Sequence, residues 1–324
     1  MTVSRVLNDR PDVSPATRKR IQKIIEELGY SPNVMASSLR HGRSNTLGIV
    51  ATGIEYFGPS HTIIGIESQA ETLGYSLLLN LLHDPEADQG EDILNSMLAR
   101  QVDGIVWAVP EIGRNHETLL KRARIMSTPV VFLSMEPHRG VMCAVVDNYT
   151  GGMMATQHLL EKGNQQIGII TGPMTWWEAQ QRAEGWRSAL HEAGRANLEA
   201  LWVEGDWSAA SGETGLHRLL EQCPTLEAVF ASNDQMALGA LQAARRAARQ
   251  VPRDLAIVGF DDIPEAAYFY PPLTTIRQDL AQVGQQAILM LDRMLDAHRD
   301  EREIEPEILW IKPELIIRES SIRS

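Results

Sequence analysis

From Thr46 onward, short apolar runs alternate with segments in which apolar residues return every three to four positions. TLGIVAT (46–52), YSLLLNLL (75–82), GIVWAV (104–109), PVVFL (129–133) and CAVV (143–146) read as strands. The segments 59–74, 89–100 and 148–161 between and after them read as amphipathic helices. The cycle restarts at QIGIITG (166–172), with a long helix near 176–193, EAVFAS (227–232), a helix over 233–248 and LAIVGF (255–260). Continuously apolar strands alternating with helices specify a parallel sheet covered on both faces. Two such blocks predict an α/β core over 46–324 made of two doubly wound subdomains. Its ligand crevice is expected at the strand carboxyl ends.

The first 45 residues follow a different pattern. Residues 14–30 read as a helix, with Ser14 as N-cap, Pro15 at the first helical position and Gly29 at the end. Ile21, Ile24, Ile25 and Leu28 form its apolar stripe. Before it, MTVSRVLN places Val3, Val6 and Leu7 on a helix of about two turns. Two helices this short cannot bury both stripes against each other, so a third element is needed for a core. SPNVMASSLRHGRSN (31–45) is polar and rich in small residues: a linker, or a short helix that forms only on contact. The chain therefore divides into 1–32, a linker 33–45 and the core 46–324.

Charge sharpens this division. The net charge is −12, yet residues 1–45 hold eight Lys/Arg against four acids, which leaves −16 for the remainder. A basic head on an acidic body points to nucleic-acid contact at one end. No apolar run approaches the ~18–20 residues of a membrane span, and the polar, basic start lacks the apolar stretch of a secretory signal. A cytoplasmic protein is expected, with no membrane partner. Cys143 and Cys223, in apolar settings, read as free thiols.

Signatures of catalysis are absent from the sequence: no GxGxxG after a strand, no GxxxxGK[ST], GxSxG, HExxH or CxxC. No enzyme and no cofactor are expected. Polar residues gather instead just past strand ends: Ser134, Asp147, Asn233 and Asp234, Asp261 and Asp262. Carboxylates and amides there suit hydroxyl groups, and Trp176, Trp177 and Trp207 offer flat apolar surface for a sugar ring. Each has a plainer explanation, because Asn233 or Asp234 suits a helix cap and a loop Trp is commonly packing. Asp261 with Asp262 resembles a metal pair but lacks further ligands nearby. Joint placement at one edge of two sheets favours a sugar site.

The order of TVSRVLN, VSPATRKRI, LGYSPN, ASSLR, LGIVAT, HLLEKGNQQIGIITGP, RAEGW, GDWSAASG, ASNDQMALGAL and VGFDDIPEAAYFYPPLTTIRQD resembles the lactose-repressor (LacI/GalR) family of transcription regulators across nearly the whole chain. The resemblance implies a helix-turn-helix headpiece, a hinge helix that orders on DNA, and a core like periplasmic sugar-binding proteins. It implies effector contacts at Arg182, Trp207, Asn233, Asp261 and Gln278, with Ser134 at a further pocket position. Two positions depart from a galactoside pattern, since Ser134 stands where an Asp is expected and Gly53 where a Ser is expected. Thr2, Ser4 and Arg5 fall on the recognition helix, Asn8 and Ser14 on backbone-contacting positions, and Leu39 on the hinge leucine that wedges into the minor groove. The implied function is a sugar-responsive repressor: a homodimer on double-stranded operator DNA, released by a sugar or glycoside. MTVSRVLN then reads as a recognition helix without the helix that normally precedes it, an incomplete headpiece expected to be loosely held. The chain stops at ELIIRESSIRS, without a leucine-heptad helix, so a dimer rather than a tetramer is expected. The alternative reading is a cytoplasmic sugar sensor that has lost half of its DNA-binding motif.

Overall fold

A computed structural model describes residues 2–7, 11–29, 43–84, 87, 89–112, 115–123, 125–195 and 200–322. The chain separates into two compact units, Met1–Asn45 and Thr46–Ser324.

In the first unit, α1 (Thr2–Leu7) precedes α2 (Pro15–Leu28). The Ser14 hydroxyl accepts the Thr17 N–H at 3.3 Å. Gly29, in the left-handed region at φ 57°, closes α2 by donating to Glu26 and Ile25 carbonyls. Val6 and Val13 are buried, but α2 itself buries none of its residues, and Leu28 is 75% exposed. The stripe at Ile21, Ile24, Ile25 and Leu28 is thus present as a pattern and largely uncovered.

The second unit contains two six-stranded sheets. In chain order its elements begin β1 (Thr46–Ala51), α3 (Phe57–Thr72), β2 (Ser76–Leu81), α4 (Gly90–Ala99), β3 (Gly104–Ala108), α5 (Asn115–Ala123), β4 (Val130–Phe132) and β5 (Met142–Val146). Next come α6 (Asn148–Glu161), β6 (Ile167–Thr171), α7 (Trp177–Glu192), β7 (Trp202–Glu204), α8 (Ala209–Gln222), β8 (Ala228–Ala231), α9 (Asp234–Arg246) and β9 (Ala256–Asp261). After a 3₁₀ turn over Pro264–Tyr268 follow β10 (Thr274–Arg277), α10 (Leu280–Arg299), β11 (Ile308–Ile311) and β12 (Glu314–Ile316). The first sheet has the order β11-β5-β4-β3-β1-β2 and is parallel throughout. The second has the order β12-β10-β9-β8-β6-β7 and is parallel except for β12 against β10. Each sheet with its helices forms one lobe. The chain passes between lobes three times, before β6, through α10, and between β11 and β12.

Strand periodicity sorts the first lobe's core into two faces. Leu47, Ile49, Val106, Val131 and Ala144 pack with Ile66 of α3 and Val283, Ala287 and Leu291 of α10. Val50, Ile105, Trp107, Phe132, Cys143 and Val145 pack with Ile93, Leu94 and Met97 of α4. The second lobe has one continuous core built on Ile167, Ile169, Phe230, Val258 and Ile276 with Trp186, Leu219 and Ala240. Cys143 and Cys223 are free thiols, and burial pushes Cys143 up to about 12, which keeps it protonated and unreactive.

The sequence pattern finds most strands within one or two residues but omits α5, β7, α8, β10, α10, β11 and β12. The causes are local. β7 has three residues with both ends exposed, and α8 buries Gly212 and Gly215 beside Leu216 and Leu219, so its inner face reads as weakly apolar. Helices α6 and α7 cross in close contact: a Cβ on Gly152 would lie 2.3 Å from the Arg182 carbonyl oxygen, and one on Gly185 would lie 2.2 Å from that of Tyr149. This crossing brings the Arg182 side chain to the start of α6.

Candidate functional site

At the strand carboxyl ends, between the lobes, lies a cavity of about 250 Å³. Ser134, Arg182, Trp207, Asn233, Asp261 and Gln278 all line it. Arg182 is buried, although burial disfavours its charge, and its planar group is held on several sides. Nε donates to Asn148 Oδ1 at 2.8 Å, Nη1 donates to the Ser232 carbonyl, and Nη1 lies 3.8 Å from Asp261 Oδ1. The guanidinium also sits 3.9 Å above the Phe260 ring centroid. Gln278 Nε2 donates to Asp261 Oδ1 at 2.6 Å. Burial raises the Asp261 carboxyl to about 6, against the opposing pull of Arg182 and Gln278.

Trp207 is packed directly on a glycine: a Cβ on Gly172 would lie 2.1 Å from its ring. Its loop is fixed by Asp206, whose Oδ1 accepts the Ser208 N–H at 2.9 Å, and by Asn233, which donates to the Trp207 carbonyl at 2.9 Å. Asn233 also caps α9 by accepting the Met236 N–H at 2.8 Å, so the cap and the cavity wall are one residue. Ser134, Trp207 and Asp261 have φ of 56°, 71° and 113°, left-handed values that cost non-glycine residues about 1–3 kcal/mol each.

Asn148, Tyr56, Phe57 and Glu178 line the cavity without a signal in the sequence reading, whereas Trp176 and Trp177, expected as apolar surface, line it as well. Asn148 positions Arg182 from the neighbouring helix. Tyr56 and Phe57, after β1, pack against the second lobe's core, while Trp177 of α7 is buried in the first lobe's core. Trp176 meets Tyr56 and Trp207 edge-on, with centroids at 6.2 and 6.0 Å. Glu178, in the first turn of α7, also lines the cavity. Burial raises its carboxyl, while its own backbone N–H, Arg182 and the Ser134 hydroxyl oppose that rise. Gly53, at φ 63°, sits against Tyr56, whose ring a Cβ would touch at 3.0 Å, which explains why no larger residue stands there.

Other candidates from the strand ends have structural work instead. Asp147 caps α6 by accepting from Thr150. Asp234 accepts from Thr275 Oγ1 at 2.6 Å and from the Ile263 N–H at 2.9 Å, tying α9 to the ends of β9 and β10. Asp262 is ion-paired with Arg277 and Arg318 at 2.8 and 2.7 Å and stays outside the cavity, so the resemblance to a metal pair has a different cause. In the first unit, Thr2, Ser4 and Arg5 lie on α1, and Arg5 pairs with Asp12 at 3.1 Å. Ser14 caps α2. Asn8 and Leu39 fall outside the described residues.

Acceptors, one guanidinium and stacked aromatic faces around a cavity of this size are suited to binding a polyhydroxylated ring. Comparison with known proteins agrees with the architecture. Residues 1–33 match the model for bacterial regulatory proteins of the lacI family, and 156–321 match the periplasmic binding protein-like domain. The chain is 34% identical over 324 residues to the HTH-type transcriptional repressor PurR of Haemophilus influenzae (strain PittEE), covering 98% of this chain and 94% of that protein. It is 34% identical over 291 residues to the ribose operon repressor of Escherichia coli (strain K12), covering 90% and 87%. Among solved structures, the Lac repressor bound to ONPG in its repressed state aligns with a TM-score of 0.88 at 28% identity, covering 98% of this chain and 94% of that one. A transcriptional regulator CelR–cellobiose complex aligns with a TM-score of 0.75 at 30% identity over the same shares. The chain belongs to the lacI family of bacterial regulatory proteins.

Proposed function

We propose that this protein is a cytoplasmic, sugar-responsive transcriptional repressor that binds double-stranded operator DNA as a homodimer. The effector binds between the lobes. The observation that carries the effector class is Trp207 seated on Gly172 beside Arg182, Asp261 and Gln278. One flat apolar face with a donor and acceptors at its edge matches a sugar ring, which is apolar on its C–H faces and polar around its rim. Arg182 donates to hydroxyls, Asp261 accepts from them, and Trp207 covers one face of the ring. Ser134 and Asn233 complete the wall. On the DNA side, Thr2, Ser4, Arg5, Asn8 and Ser14 are the proposed groove and backbone contacts, with Leu39 in the hinge.

Repression is relieved because ligand and operator prefer different arrangements of the core, with a coupling of about 1–3 kcal/mol. The test is a titration of operator affinity at fixed salt against ribose, galactose, glucose and cellobiose. Fluorescence of the three cavity tryptophans reports binding directly in the same samples. A sugar is expected to shift both signals together. Response to a purine base and to no sugar would overturn the effector class.

A further inference from the structure

Resting on the reading of the cavity as the effector site, the charges and unsatisfied atoms on its wall specify the effector more narrowly. Among the described residues that line the cavity, Arg182 is the only Arg, Lys or His, whereas Glu55, Glu178 and Asp261 bring three carboxylates. Arg182 Nε and Nη1 are held by Asn148 and Ser232 and its charge faces Asp261 at 3.8 Å, so three carboxylates against this one cation leave the described wall with a negative balance for an anionic ligand. Glu178 adds a second observation. It lines the cavity, its Oε2 is buried, and that oxygen has no hydrogen-bond partner. A buried carboxylate oxygen without a donor is costly, and a ligand hydroxyl supplies the missing donor. Because Ser134 of the first lobe lines the same cavity, Glu178 stands where a ligand meets both lobes.

We propose that Glu178 is a specificity-determining residue that accepts a hydrogen bond from the effector, and that the effector is an uncharged polyhydroxylated ring whose phosphate esters are refused. A phosphate dianion in this cavity would face Glu178, Asp261 and Glu55 in a poorly solvated space, where like charges repel most strongly. A neutral sugar meets acceptors matched to its hydroxyls.

The test is calorimetric titration of the full chain with ribose and ribose 5-phosphate, glucose and glucose 6-phosphate, and cellobiose, repeated on Glu178→Gln. In the wild type at least one free sugar binds, with its phosphate ester weaker by about 100-fold or more. Glu178→Gln weakens the free sugar by roughly 10–100-fold, the range for hydrogen bonds to charged groups, and narrows the ratio between sugar and ester. A thermal midpoint near the wild-type value confirms that the variant folds. If it does not fold, Glu178→Asp, which withdraws the carboxylate by one methylene, reads the contact instead. A phosphate ester binding the wild type as tightly as its free sugar overturns the proposal. So does unchanged affinity and selectivity in a folded position-178 variant, and in both cases the sugar-effector reading survives. If no free sugar and no ester binds, the sugar-effector reading fails and this inference falls with it.

Discussion

The second lobe gives the cavity most of its charge and hydrogen-bonding capacity, through Arg182, Asp261, Gln278, Asn233 and Glu178, whereas the first lobe gives mainly Ala144, Val145, Val146, Leu280 and Val283. The second lobe's groups are fixed before any ligand arrives: Arg182 by Asn148 and Ser232, Asp261 by Gln278, Trp207 by Gly172 and Asn233. The first lobe's polar contribution is Ser134, Thr62 and Glu55. Recognition and closure are therefore separable. Under the proposed function, the second lobe reads the effector and the first excludes water over it, which strengthens every polar contact beneath.

The largest effect is expected from Arg182→Ala. It removes the countercharge for Asp261 and Glu178 and should destabilise the protein by about 3–5 kcal/mol, measured by denaturant unfolding, with effector binding lost. Asp261→Asn separates stability from recognition. With a folded value near 6 against roughly 3.9 unfolded, the native state holds the Asp261 proton more tightly. Its contribution is therefore fully present below about pH 4 and is lost as pH rises through about 6, a change on the order of 3 kcal/mol. The Asn variant should lose this slope and gain stability at neutral pH while binding sugar poorly, and wild-type affinity should fall as pH drops below about 6. A variant that kept wild-type affinity would move recognition away from the second lobe.

Gly185→Ala should cost about 1–3 kcal/mol by pressing a methyl against the Tyr149 carbonyl. It should weaken ligand binding more than its stability cost suggests, because it shifts α7 and with it Arg182. Ser134→Ala is expected to be the mildest change, at most about 1 kcal/mol in either stability or affinity. A larger loss of affinity would show that the first lobe also reads the ligand.

The same asymmetry decided what was legible in the sequence. Asp261 and Asn233 end an apolar strand or cap the next helix, and such positions stand out as polar residues at the ends of apolar runs, while Trp207 stands out as an aromatic in the polar stretch GDWSAAS. Asn148, Tyr56 and Glu178 reach the cavity only through tertiary packing: the α6–α7 crossing, the loop after β1, and the first turn of a helix whose Trp177 enters the other lobe's core. No local pattern encodes those meetings. Asp147, Asp234 and Asp262 carry the same strand-end signature as Asp261, yet backbone amides, Thr275 and two arginines absorb them. Position at a strand end therefore does not suffice for this site, as these three show, and is not required for it, as Arg182 and Glu178 on α7 show. The fold was legible where strands were long and apolar. It was not legible in β7, three residues with both ends exposed, or in α8, whose inner face relies on glycine.

The three passages of the chain between lobes also govern the order in which the protein is made. The first lobe begins at Thr46, yet its sheet is completed by β11, which ends at Ile311, and one face of its core is covered by α10. At about 5–20 residues per second, synthesis from Val146 to Ile311 takes roughly 10–30 s. For most of that interval Leu47, Ile49 and Val131 lack Val283 and Leu291. A nascent chain stalled near residue 270 should accordingly be cut by protease within 46–146, and one released at full length should not. The lobe translated first is the last to close, and a shortage of chaperones during those seconds would fall on it before the rest of the molecule.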